Sequence, residues 1–522
     1  MIVIVKIKMN NFDKSFCCWH GKEITPITAR DFSRGPFRIT RPGRYLLVDD
    51  ISFNPSMGPT SSDGLNHSRG WICAISIECS DVIFDLGGHC ISQSEEHALQ
   101  MRFFAVILLG SSLFELHTQG PFDMGGSKQV RNICVRNGSV GKSSHFGIFS
   151  PTCSAIKIED LHCHDFEVAA IQLNRAEHIE LMRIDAGPSA NVPSVGAAFL
   201  HLQMLLADVE ALNMNLEEEP DLNFDDGSQL SCKQIIISLR KLLETIESNI
   251  SNGKEPLHGV NKKDSKWLQE TSVALNGNLY GIAVNGSALL GGSLNDDRSK
   301  RANGVVIVDC KVHDLRSDVA VWPLALLDAN NDVVRAQSLA LPHLRINSNG
   351  HIILSPLTHA QILLLRASHK ESPTTVLLLN KLCSGNPTEC PLTISDLLDL
   401  GFSTFETDGM GHAPKGSCGL ILHKLNEPHI SNVVINNIEQ SGRGRHEKDS
   451  TVIDGTASTG ILLSHCTNVH IYGLVCANLY SLAGNTNKIA ANDSSLNFSE
   501  TVYDQRSKLF VNHARMCPRR IR

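Results

Sequence analysis

The sequence predicts an all-β chain, a parallel β-helix solenoid, on three observations. Matched isoleucines recur every 23 residues: Ile133, Ile156 and Ile179 stand in Asn132-Ile-Cys-Val135, Ala155-Ile-Lys-Ile158 and His178-Ile-Glu-Leu181. A second apolar segment keeps the same step between them, Gly147-Ile-Phe149 matching Ala170-Ile-Gln-Leu173. The offset from the residue opening one segment to the apolar residue opening the next is nine at Gly147/Ile156, Ala170/Ile179 and Gly460/Val469, so late segments keep the register of early ones. Each segment alternates apolar with other residues, the period of a strand with one buried face. A repeat this short cannot cover its own apolar face. It gains a core only by stacking, each strand on its equivalent in the next turn.

Composition narrows the class. With 522 residues, 42% apolar and 19% charged, the chain is globular. Aromatics are only 5% while glycines number 39, which suits many tight corners around stacked Val and Ile. A formal charge of −7 argues against nucleic acid as the main partner. The first residues, Met1-Ile-Val-Ile-Val-Lys-Ile-Lys-Met9, lack the basic region, long apolar run and cleavage site of a signal peptide. No run reaches the roughly 18 apolar residues that cross a bilayer. A cytoplasmic location is therefore favoured. The sixteen cysteines are scattered, and Cys134, Cys163 and Cys310 fall inside strand-like runs, so buried free thiols are expected.

Taken in order, residues 1–70 read as an N-terminal cap and lead-in strand, with a turn at Pro42-Gly43 before Tyr45-Leu-Leu-Val48. The solenoid is expected over 71–484. Its first clear strands are Ile75-Ser-Ile77 and the two flanking Gly87-Gly88. The apolar patch at 98–118 fits a buried strand better than a helix. Two interruptions read as α-helical insertions, at about 197–255 and 320–410. Ala198-Phe-Leu-His-Leu-Gln-Met-Leu-Leu and Gln234-Ile-Ile-Ile-Ser-Leu-Arg-Lys-Leu-Leu carry apolar residues at helical spacing, as do His359-Ala-Gln-Ile-Leu-Leu-Leu-Arg and Ile394-Ser-Asp-Leu-Leu-Asp-Leu. Strand text resumes at Gly281-Ile-Ala-Val284, Gly304-Val-Val-Ile-Val308, Gly419-Leu-Ile-Leu422, Asn432-Val-Val-Ile435, Gly460-Ile-Leu-Leu463 and Asn468-Val-His-Ile471. Residues 485–522 lose the pattern and read as a C-terminal tail with a basic end.

The repeated Ile-x-Ile/Val pairs, the Asn137-Gly138 corner and Val82-Ile-Phe-Asp-Leu-Gly-Gly-His-Cys-Ile91 together resemble the right-handed parallel β-helix, or pectin-lyase-like, superfamily. That resemblance covers about 70–480. It implies a protein that cleaves, epimerises or binds acidic polysaccharide, or one that serves as a rigid surface or virion fibre. The catalytic motifs of such enzymes are absent as an ordered set: Asp296-Asp297 stands in a loop-like run, Gly88-His89 is followed by Cys90, and Arg34-Gly-Pro-Phe-Arg38 has the wrong spacing and lies before the solenoid. Fold alone does not carry activity.

Several clusters could carry chemistry. In His162-Cys-His-Asp-Phe-Glu167 a strand would turn both histidines one way, within reach of one metal. Asp165 and Glu167 would share the other face, suiting calcium or a general base. The competing reading is a polar corner bonding its own backbone. His145, in Lys142-Ser-Ser-His-Phe-Gly147, would lie one turn below Val168 and so beside Glu167, an acid–base pair at one solenoid edge. Asp85 and His89 flank the Gly87-Gly88 corner, where a turn explains them. Arg102 and Arg136 could bind substrate carboxylates in bidentate fashion.

The expected function is a non-catalytic β-helix scaffold for carbohydrate binding or attachment, of surface or virion type. The alternative is a polysaccharide lyase or glycoside hydrolase acting on acidic polysaccharide, with His145, Asp165 and Glu167 catalytic and Arg102 and Arg136 holding substrate. No metal ligand set or cofactor is expected, calcium being the one ion these carboxylates suit. A glycan surface is the expected partner; nucleic acid and a membrane span are not.

Overall fold

A computed structural model of the chain describes residues 23–55, 72–101, 104–110, 128–191, 229–260, 279–286, 301–317, 416–440 and 457–481, with shorter pieces between and after them as far as Met516. Two long parallel sheets dominate. One runs through strands Ile24–Ile27, Gly43–Leu47, Val82–Asp85, Val130–Gly141, Cys153–Cys163, Ala176–Ala186, Val305–Val308, His429–Ser431 and Val469–Ser481. The other runs through Phe37–Ile39, Cys73–Ile77, Ala105–Leu109, Phe146–Ser150, Ala169–Leu173, Leu279–Asn285, Gly416–His423, Ala457–Ser464 and Thr486–Asn492. The chain visits the sheets alternately, so each strand pairs with its equivalents one turn before and one turn after. The result is an all-β stack of turns, compatible with a solenoid.

The expected register holds. Ile133 pairs with Ile156 and Ile156 with Ile179, and all three are fully buried. In the second sheet Ile148 pairs with Ile171 and Ile171 with Ile282. The ladder also spans the interruptions, since Ile179 pairs with Val305 across more than a hundred residues.

What shapes each turn is a backbone bend recurring every five residues. Asn132 and Asn137, Ala155, Asp160 and Asp165, His178 and Arg183, Asp309 and Asp314, Asn432 and Asn437, and Gly473 and Asn478 all have φ between +51° and +64°. This left-handed region is costly for most side chains and least so for Gly, Asn and Asp, which explains the composition of the bends. After the bends at Ala155 and Asp160 the first and third residues point inward and the second and fourth outward. Thus Ile156 and Ile158 are buried while Lys157 and Glu159 are not, and Leu161 and Cys163 are buried while His162 and His164 are not. The bends stack on one another through their amides. Asn432 Nδ2 donates to Asp309 Oδ1 (3.0 Å), Asn437 Nδ2 to Asp314 Oδ1 (2.6 Å) and Asn478 Nδ2 to Asn437 Oδ1 (2.9 Å).

Other expectations meet mixed outcomes. The 98–118 patch contains the fully buried strand Ala105–Leu109. A helix runs over Cys232–Ser251, with Ile236, Leu239, Leu243 and Ile246 buried, as its apolar spacing predicts. The segment 198–206 lies almost wholly outside the described residues, and 359–366 and 394–400 lie outside them entirely. The described parts of 320–410 are antiparallel strands, Leu324–Leu327 on Ser403–Glu406 and His351–Ile353 on Glu389–Thr393. Strands continue past 485: Thr486–Asn492, Ser495–Val502, Phe510–Asn512 and Arg515–Met516 extend the two sheets, because ladder bonds are made by backbone and do not need apolar alternation. At the other end Ile24–Ile27 already pairs with Gly43–Leu47. The ten cysteines whose side chains are described are all free, and eight of them are buried. No described helix is long and apolar enough to cross a membrane.

Two measurements test this packing. Ile156→Asp places a charge in the central column and should lower stability by more than about 3 kcal/mol, read by denaturant unfolding; unchanged unfolding would contradict the register. His97 is buried between Phe53 and Phe104, at ring distances of 5.0 and 5.1 Å, and burial pulls its pKa from 6.5 down to about 4. Its folded pKa is below the unfolded one, so its contribution is complete above about pH 6.5 and is lost as pH falls towards 4, worth about 3 kcal/mol. His97→Leu should flatten that part of the pH–stability curve.

Candidate functional site

Each complete turn has three five-residue sides in or beside the first sheet, followed by the strand of the second sheet. The third side begins after Lys142, Asp165, Pro188, Asp314, Asn437 and Asn478 in successive turns. Backbone bonds fix this equivalence: Ser143 bridges Phe166 in parallel, Asp165 N donates to Pro188 O (3.0 Å), and Ala190 pairs with Arg316 and Arg316 with Glu439. The second position of the side points outward and carries Ala190, Arg316 and Glu439. A cleft of about 340 Å³ lies along this side, lined by bend residues Asp165, Pro188, Asp314 and Asn437, the outward Ala190, Arg316 and Glu439, and Ser189 and Leu315 beneath them.

Imidazoles brace the cleft from the second side. His313 Nδ1 lies 2.6 Å from Asp314 Oδ2, and its Nε2 lies 2.9 Å from Asp185 Oδ1, a close ion-pair distance without hydrogen-bond alignment. His164 Nδ1 lies 2.9 Å from Asp165 Oδ2, and His162 Nε2 lies 2.9 Å from Gly187 O. The bonds from His313 and then Asn437 hold the Asp314 carboxyl below the usual carboxylate range. Asp314 is thus a fixed anion at neutral pH. Three carboxylates, a carboxamide and a guanidinium from several turns open into one cleft, an arrangement able to accept and donate hydrogen bonds to a hydroxyl-rich ligand.

The predicted site residues divide. Asp165 lines the cleft. It is a bend residue (φ +53°), so strand alternation does not apply there, and it turns to His164 rather than sharing a face with Glu167. Glu167 occupies the outward second position of the third side, partly buried, in the turn before Ala190. His145 does lie one turn from Val168, whose N donates to its carbonyl (3.0 Å). Its ring, however, is buried against Phe146 at 4.4 Å, on a side whose four residues, Ser143 to Phe146, are all buried. It does not present itself to an external substrate. The neighbouring serines serve the backbone: Ser143 Oγ lies 2.7 Å from both Phe104 O and Phe146 O, and Ser144 Oγ donates to Met101 O. Arg136 is already engaged, its Nε donating to Asp85 Oδ2 (2.9 Å), and Arg102 lies outside the described residues. Asp85 also accepts from Gly87 N (2.9 Å) and Asn137 Nδ2 (3.0 Å), the turn role expected of it.

The His162 and His164 rings stand 5.0 Å apart on one face, with His162 Nε2 directed to Gly187 O and His164 Nδ1 to Asp165. Among the described residues no group of three or more His, Cys, Asp or Glu side chains could hold a metal ion. Asp314, Arg316, Asn437 and Glu439 were missed by the sequence reading. Their signal is the five-residue spacing of Asp309/Asp314 and Asn432/Asn437 ahead of apolar alternation. No family model, no curated protein and no solved structure matches the chain.

The electrostatics can be checked directly. Asn437→Ala removes a bond that favours the Asp314 carboxylate, so the Asp314 carboxyl should titrate at higher pH in that variant, measured by carboxyl-carbon NMR. An unmoved titration would show that Asn437 does not tune this group.

Proposed function

We propose that the chain is a right-handed parallel β-helix of the pectin-lyase-like kind, acting as a non-catalytic scaffold that binds saccharide in the cleft of its third side. Right-handedness is supported by the general rule for crossovers between parallel strands of one sheet. The stacked isoleucines and bend amides support the β-helix reading. The observation that carries the functional reading is that Asp165, Asp314, Asn437, Glu439 and Arg316 open into one cleft from successive turns. Fixed carboxylates and amides suit sugar hydroxyls, and their placement on a ladder rather than on loops makes the site preorganised.

The charge balance points to neutral saccharide in place of the acidic polysaccharide of the alternative, enzymatic reading. Three carboxylates face one guanidinium in the cleft, and a polyanion would be repelled. Asp314 held as an anion supports binding over proton donation, which glycoside cleavage requires of one carboxyl group. The free, mostly buried thiols support a reducing compartment.

Titration calorimetry against neutral and acidic oligosaccharides, with reducing-end and unsaturated-product assays on the same mixtures, tests this. Neutral oligosaccharides should bind and remain intact, and Asp314→Asn should weaken them roughly tenfold. Lack of binding across the panel, or release of new ends, would overturn the scaffold reading.

A further inference from the structure

Among the described residues six large apolar side chains are notably exposed, and four of them, Val434, Tyr472, Val475 and Tyr480, lie on two adjacent strands of the first sheet. Only Tyr480 falls on the third side. It is the second residue after the Asn478 bend, so it points outward, and it pairs in register with Glu439. The outward column that forms the cleft therefore continues Ala190, Arg316, Glu439, Tyr480, one residue per turn. Beneath it the bend column continues Asp314, Asn437, Asn478, joined by side-chain hydrogen bonds of 2.6 and 2.9 Å. Tyr480 is half exposed (51%), and among the described residues no hydrogen bond or ring contact fixes its side chain.

We infer that Tyr480 is a stacking platform at the end of the cleft, and that the ligand is a linear neutral oligosaccharide lying along the stack axis, about one sugar per turn. This rests on the saccharide reading above and adds the ligand's direction, length and far contact. The turns repeat at about 4.8 Å, the spacing of paired strands, so Ala190 to Tyr480 spans about 14 Å. A pyranose unit advances a linear chain by a similar step, so successive rings can meet successive outward residues without losing register. The polar residues of the first turns address hydroxyls. An exposed phenol ring presents the electron-rich face that attracts the C–H groups of a sugar ring, while its hydroxyl stays in water. On the third side the platform is one aromatic side chain continuing a polar cleft, so it fits a narrow polar chain better than a protein surface.

The test is affinity against chain length. For the unmodified protein, calorimetry with a neutral disaccharide, tetrasaccharide and hexasaccharide of one linkage should show affinity rising to the tetrasaccharide and then levelling. Tyr480→Ala should abolish that gain, a loss of roughly three- to tenfold on the longer ligands, while the disaccharide is unaffected. Tyr480→Phe should retain the gain, and matching melting curves of both variants would exclude a folding effect. If Asp314→Asn weakens binding but Tyr480→Ala leaves the length dependence intact, the platform is wrong and the cleft reading stands. If no saccharide binds the unmodified protein, both fall.

Discussion

The structure depends on one constraint: the backbone enters the left-handed region at five-residue intervals, Pro188 being an exception, and does so at the same height in successive turns. A bend there costs an ordinary side chain on the order of 1–2 kcal/mol. Asn and Asp reduce that cost and then offset the rest by bonding the bend of the next turn, as Asn432 does with Asp309 and Asn437 with Asp314. Where the bend residue is Arg183, its guanidinium reaches Asp160 one turn back, at 2.5 and 2.8 Å, and takes the place of an amide. Local strain is thus tied to long-range register. A slip of one residue would break both at once.

The same constraint sets what faces water. Where inward and outward positions alternate between bends, they divide side chains between core and surface. This is why Arg316 and Glu439 face outward although buried Ser317 and Gln440 come directly after them. The described strands Ser189–Asn191 and Lys311–Ser317 end on the third side at register partners, Asn191 and Ser317. The ladder they belong to keeps the cleft residues in place.

The electrostatics of the cleft arise because neighbouring sides share a bend. His313 is the last outward residue of the second side and Asp314 is the bend itself, so their contact is local in sequence. The Asp185 contact comes from the previous turn. A carboxylate held by donors from its own turn and from the next has little freedom to reorganise. That favours recognition by a preformed surface and disfavours proton transfer, which needs a group able to change state near working pH.

The sequence by itself determined the strand class, the 23-residue register and the isoleucine column, because period-two alternation and equal spacing are local properties of the chain. It also placed the helix at Cys232–Ser251 and indicated free cysteines. Only the tertiary structure decided which side of each turn a polar residue occupies, because that depends on left-handed bends that split an apparently continuous strand such as Cys153–Cys163 at Asp160. Alternation carried straight through a bend assigns the wrong face, as happened to Asp165. The cleft was beyond the sequence for a further reason. Asp165, Asp314 and Glu439 are joined by stacking across long interruptions, and distance along the chain carries no trace of that adjacency.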